Sequence, residues 1–271
     1  GADPILAIKV ASTNAARYFR LNNRGAIALG YLADFVIIDS FEEFTVEQVY
    51  KKGKLMYSGG KLKDFRAPTV DEFLTERAHS TFKVDRLKPE AFKIDRPRGV
   101  LGMVPGELMT TDDGYTTGVD IDKDILKIAV VERHNYTGHI GIGYIKGYGL
   151  RRGAVATSIS HDSHNIIVVG TNDEDMAAAV NHIAENGGGI TVFDGGKCIG
   201  DVKLGIAGLM SDAPLIDVNR NLEDAKARAF ELGVSKLIDP FMTLSFMSLP
   251  VIPKLRLTTR GVFDVESQSY V

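Results

Sequence analysis

The sequence predicts an α+β fold in two parts, a small β-sandwich unit followed by a larger mixed α+β domain. Three observations carry this. Short β-branched and aromatic runs punctuated by glycine fill 25–60. A charged stretch with Pro68, Pro89 and Pro97 and no clear period follows, and beyond 99 strand-like and helix-like periods are mixed. The expected segments are a helix over 1–20, sandwich strands over 21–65, a connector over 66–98 and the α+β domain over 99–271.

The first helix spans 4–18, with Pro4 in its first turn and Ile5, Ile8, Val10, Ala11, Ala15 and Phe19 three or four residues apart. Such a stripe needs a partner surface, so the chain is expected to start inside a larger structure, as a fragment or processed form. An engineered start is the plainer reading of Gly1 itself. Phe35-Val36-Ile37-Ile38, Val49-Tyr50 and Leu55-Met56-Tyr57 read as strands between Gly30, Gly53 and Gly59-Gly60.

In the larger domain strands are expected at about 126–132, 140–145, 153–160, 165–169, 190–194 and 197–203, and helices at about 173–186 and 219–232. Asn172 or Thr171 caps the first of these helices, and Asp173-Glu174-Asp175 complements its positive end, which favours helix-end electrostatics over a metal site. Gly187-Gly188-Gly189 is a helix stop without the spacing of a phosphate loop.

Composition narrows the function classes. A chain of 271 residues, 44% hydrophobic and 25% charged, reads as globular. Its net charge of -3, with Lys and Arg scattered throughout, argues against nucleic acid as a partner. No long apolar run or signal segment is visible, which argues against a membrane, and the single Cys198 excludes an intrachain disulfide, so a reducing cytoplasm is expected. One cysteine also excludes the paired-cysteine zinc site of cytidine-deaminase-type enzymes.

The densest polar cluster is Ser160-His161-Asp162-Ser163-His164-Asn165, between two apolar strands, where ionisable groups are costly unless paired or used. His161 and His164 converge on one ligand only if a turn intervenes; a hydrogen-bonded turn at a strand junction is the competing reading. Glu132-Arg133-His134, at the end of the strand Ile128 to Val131, suits an anionic or heteroaromatic ligand, or else is a solvated strand end with a salt bridge. His79, His139 and His182 have no comparable company and read as ordinary. The Met, Phe and Pro-rich stretch Asp239 to Pro253 reads as a pocket for a flat base or, more simply, as core. No serine sits in a Gly-x-Ser-x-Gly turn, so a serine nucleophile is unsupported.

Arg24-Gly25-Ala26-Ile27, Gly30, Ala33-Asp34-Phe35-Val36-Ile37 and Val49-Tyr50-Lys51-Lys52-Gly53-Lys54 resemble the strands after the last barrel helix of metal-dependent amidohydrolases. Ser160 to Met176, Ile206-Ala207-Gly208-Leu209-Met210-Ser211-Asp212 and Asp239 to Pro253 resemble the C-terminal domain of the adenine deaminase family. The resemblance covers nearly the whole chain. Leu29, Tyr136 and Thr259 depart from the family pattern, and none touches the 160–165 cluster.

The resemblance implies hydrolytic deamination of adenine to hypoxanthine and ammonia, in adenine catabolism and purine salvage, by an enzyme with a binuclear manganese or iron site in a (β/α)8 barrel. The unit at 21–65 is then the remnant of an amidohydrolase β-sandwich. The barrel ligands would lie upstream, so no metal is expected in this fragment, which should be inactive alone. Within it His161, Asp162 and His164 are the catalytic candidates and Arg133, His134, Ser160 and Asn165 the substrate-binding ones. A homo-oligomer is expected. The competing classes are a structural or oligomerisation domain without direct catalytic role, and a related amidohydrolase acting on another cyclic amidine or amide.

Overall fold

The computed structural model describes residues 1–63 and 68–271, in two compact units, Gly1–Thr69 and Val70–Val271. The expected sandwich–connector border at 65/66 lies outside the described residues.

In the first unit the sequence stripe becomes one helical run: α1 (Pro4–Lys9), a π-helical turn (Val10–Asn14) and α2 (Ala15–Tyr18). Asp3 caps it, its carboxylate accepting from the Leu6 N–H at 2.8 Å ahead of Pro4 at the first helical position. The helical run buries only Ala16. Of the expected sandwich, the described residues form one antiparallel sheet in the order β1 (Phe35–Ile38), β2 (Val46–Lys51), β3 (Lys54–Ser58) and β4 (Lys61–Leu62). Its central hairpin turns on Lys52 and Gly53, both at positive φ, as the right-handed twist of paired strands favours.

The second unit opens with α3 (Glu72–His79), capped by Asp71, and a 3-10 turn (Pro89–Phe92). Residues expected as plain connector are thus corrected. Phe82, Val84, Leu87, Ala91, Phe92 and Ile94 pack on the buried cluster under a later helix. Asn181 clasps Leu87, donating to its carbonyl and accepting from its N–H, both at 2.8 Å. A strap without regular backbone has no period to betray it in the sequence.

Eight strands then form one sheet: β5 (Arg98–Met103), β6 (Thr110–Thr116), β7 (Ile125–Val131), β8 (Ile140–Lys146), β9 (Ala154–Thr157), β10 (Ile166–Gly170), β11 (Gly189–Asp194) and β12 (Lys197–Lys203). Their spatial order is β12-β11-β9-β10-β7-β8-β5-β6, antiparallel except for β5 beside β8. Both faces are covered. Leu126, Ile128, Val130, Ile167 and Val169 point to one cluster, and Ala129, Val131, Ile166 and Val168 to the other. The central strands therefore read as unbroken apolar runs.

The second face packs on α4 (Asp173–Glu185), with Asn172 as its cap, accepting from Asp175 N–H at 2.7 Å. Asp173 pairs with Lys127, and buried Asp175 accepts from the Gly195 and Gly196 N–H groups, so two of the three acids tie α4 to neighbouring strands. The first face packs on α5 (Leu215–Glu231), α6 (Pro240–Phe246) and a small sheet of β13 (Leu255–Thr258), β14 (Gly261–Asp264) and β15 (Ser269–Tyr270). Phe241, Leu244 and Met247 are buried, which makes the Met and Phe stripe largely core. Among the described residues no helix is long and apolar enough to cross a membrane.

Candidate functional site

The two polar clusters of the sequence meet. Val131 pairs with Ile166 in the antiparallel β7–β10 ladder, so the residues leaving β7, Glu132 to His134, lie beside those entering β10, His164 and Asn165. The loop from β9 to β10 passes over the same end of the sheet, because Thr157 pairs with Ile167.

Arg133 is the post around which this corner is built. Only 2% exposed, it donates from Nε to the His164 carbonyl at 2.5 Å and from Nη2 to the Ala207 carbonyl at 3.0 Å, and its guanidinium lies 4.2 Å from the Phe82 ring centre. Its backbone N–H donates to Asn165 Oδ1 at 3.3 Å. Burial pulls its pKa down to about 10, with Glu132 pushing back, so it stays charged at neutral pH. Its Nη1 finds no hydrogen-bond partner among the described residues.

His134 lies next to it, Nε2 being 2.8 Å from the Ser163 carbonyl. Glu132 ties the following turn, accepting from His134, Asn135 and Thr137. Although burial works against its charge, those donors hold its pKa below the ordinary value.

The loop itself is a tight turn, with the His164 N–H donating to the Ser160 carbonyl at 2.6 Å. That turn brings the two imidazoles to a ring separation of 5.7 Å. The His161 ring lies 4.6 Å from that of Phe246, tilted by 39°, and the His161 backbone N–H donates to the Ser245 carbonyl at 3.0 Å. Ser160 Oγ and Ser248 Oγ share a 2.5 Å hydrogen bond, and Ser248 also donates to the His161 carbonyl.

The segments 206–212 and 239–253, singled out by resemblance, are thereby the walls that hold the loop. His164 Nδ1 is buried without a partner among the described residues, and burial, His161 and Arg133 lower the pKa of its imidazole. That shift favours the neutral imidazole. Asp162 points outward, its side chain 86% exposed and 3.9 Å from His161 Nδ1. A cavity of about 300 Å³ adjoins the loop, lined by Asp162, Ser163, Asn165, Ser248, Pro250 and Thr258 among others. That volume is at the small end of ligand pockets.

A family model described as the adenine deaminase C-terminal domain matches residues 106–269. The chain belongs to the adenine deaminase C-terminal domain family. A second model, the amidohydrolase family, matches residues 1–56. Over the whole chain the sequence is 44% identical to adenine deaminase 2 of Carboxydothermus hydrogenoformans, covering 49% of that protein. It is 43% identical to an adenine deaminase of Nitratidesulfovibrio vulgaris and 40% identical to that of Bacillus licheniformis, covering 48% of each. The chain spans about half the length of these curated relatives.

The amidohydrolase match implies a metal cofactor. A two-metal hydrolytic centre needs donors enough for two ions about 3.5–4 Å apart. Among the described residues the one set of three His, Cys, Asp or Glu donors lying within 4.8 Å of one another is His182, Cys198 and Asp201, so His161, Asp162 and His164 are not such a set. Three donors, one a thiol, do not fit a binuclear centre. The set also corrects the reading of His182 as a histidine without company.

Proposed function

We propose that this chain is the C-terminal part of an adenine deaminase that hydrolyses adenine to hypoxanthine and ammonia, and that the ligands of its manganese or iron lie in a barrel outside these 271 residues. The observation that carries the reading is the match of residues 106–269 to the adenine deaminase C-terminal domain, whose distinctive segments here wrap one corner. We assign that corner to adenine binding or to closing the site over it.

Deamination adds water at C6 of the purine and needs a proton for the departing amine. His164, neutral and with Nδ1 uncommitted, suits holding or passing a proton. Arg133 acts as a positioning residue, fixing the backbone of the loop rather than touching substrate. Adenine catabolism and purine salvage in the cytoplasm, by a homo-oligomer, complete the proposal.

The test is His161→Asn with His164→Asn in the intact enzyme. A fall in kcat/KM for adenine of at least about ten-fold, with metal content and Tm held, supports it; unchanged kcat/KM overturns it. One observation favours a structural or oligomerisation role instead: both hydrogen bonds of the Arg133 guanidinium end on backbone carbonyls. On that reading the same variants lower Tm or assembly and spare kcat/KM.

A further inference from the structure

His182 closes the last turn of α4, and Cys198 and Asp201 lie on β12. Three apart on a regular strand, the last two would face opposite sides of the sheet. They do not, because β12 carries one extra residue. Val192 pairs with Gly200 but Phe193 pairs with Cys198, which leaves Ile199 as a bulge.

Thr191 pairs with Asp201. Thr191 and Phe193, two apart on regular β11, share a face, so their partners Asp201 and Cys198 share it too. It is the face on which Phe193 packs beneath α4, and the Phe193 ring meets the His182 imidazole edge-on at 5.5 Å. A helix end and a bulged strand thus deliver an imidazole, a thiol and a carboxylate to one point, all donor atoms within 4.8 Å.

We propose that His182, Cys198 and Asp201 form a mononuclear site for a divalent, thiophilic metal of the zinc class, with the fourth position open to solvent. The donor set is the argument for the class. Thiolate and imidazole favour zinc-like ions over magnesium or calcium, which prefer oxygen throughout. Tetrahedral zinc places its donors about 3.5 Å apart, a small side-chain adjustment from the arrangement here. His182 Nε2 is already 3.1 Å from Asp201 Oδ1 and 3.0 Å from Asn186 Nδ2, contacts that the ion would replace. As the sulfur–metal bond forms, the Cys198 thiol releases its proton to solvent.

Cys198 is exposed, so the ion has a way in. Thr191 Oγ1 lies 3.4 Å from the sulfur, and burial raises the pKa of Asp201 while His182 first and then Lys203 oppose that rise. Bound there, the metal would pin the end of α4 to the β11–β12 hairpin at the outer edge of the large sheet. The site does not depend on the catalytic reading.

The test titrates the full chain with cobalt(II) and zinc. We expect one equivalent bound, a thiolate-to-cobalt absorption band, and at least ten-fold slower alkylation of Cys198 by iodoacetamide in the presence of zinc. C198S should abolish the band; H182N and the near-isosteric D201N should weaken binding at least ten-fold, while the control H139N leaves it unchanged. Absence of the band, or binding in the three variants equal to that of the unsubstituted chain, overturns the proposal.

Discussion

Ile37 and Ile167 both sit in antiparallel strands, yet Ile37 is 39% exposed and Ile167 is fully buried. The contrast runs through the two units. In the first, Ile5, Leu6, Ile8, Val10, Val36 and Phe44 are exposed, and an apolar hollow of about 760 Å³ opens between the helical run and β1. In the second, β7 and β10 are covered on both faces. Among the described residues the first unit buries only Ala16 of its apolar side chains, and both buried clusters belong to the second unit. Local signals specify elements, whereas stability comes from the surface those elements remove from water.

Parallel substitutions sharpen the contrast. Ile167→Ala should cost about 2–5 kcal/mol by denaturant unfolding, and Ile37→Ala under about 1 kcal/mol. Similar costs at the two sites would mean that Ile37 is buried in the working protein. The glycines differ in the same way. A Cβ at Gly141 would lie 1.8 Å from the Thr258 carbonyl oxygen, so Gly141→Ala should cost about 3 kcal/mol or more. At Gly53 the nearest atom is 3.9 Å away, and Gly53→Ala should cost only the strain of a positive φ, about 1 kcal/mol.

A smaller effect follows from His164, whose folded pKa lies below the ordinary 6.5, through burial first and then His161 and Arg133. A depressed folded pKa contributes stability above the unfolded value that is lost as pH falls through the folded one. Stability of the second unit should therefore decline as pH drops below 6.5, and H164Q should flatten that decline. An NMR titration placing the His164 midpoint above 6.5 would reverse the sign.

Much of this fold is written in local pattern. The runs Ile128 to Val131 and Ile166 to Val169, and the Asn172 cap ahead of three acids, mark β7, β10 and α4 within a residue or two. Strands β5 and β6 are not legible in the same way, because Gly99, Gly102, Asp112, Asp113 and Gly114 dilute them and their stability comes from neighbours far along the chain. The candidate site shows the same limit. Its residues stand out as two separate clusters, but their meeting depends on pairing between strands some thirty residues apart. The His182, Cys198 and Asp201 group depends on a single bulged residue, which no spacing rule reveals.

The most direct test of the central claim is ammonia release from adenine by this 271-residue chain with added manganese. The account predicts release no greater than that of buffer, since the ligands for a binuclear centre are assigned to a part of the enzyme outside the chain. Release that rises with protein concentration and disappears in the His161→Asn, His164→Asn variant would contradict it.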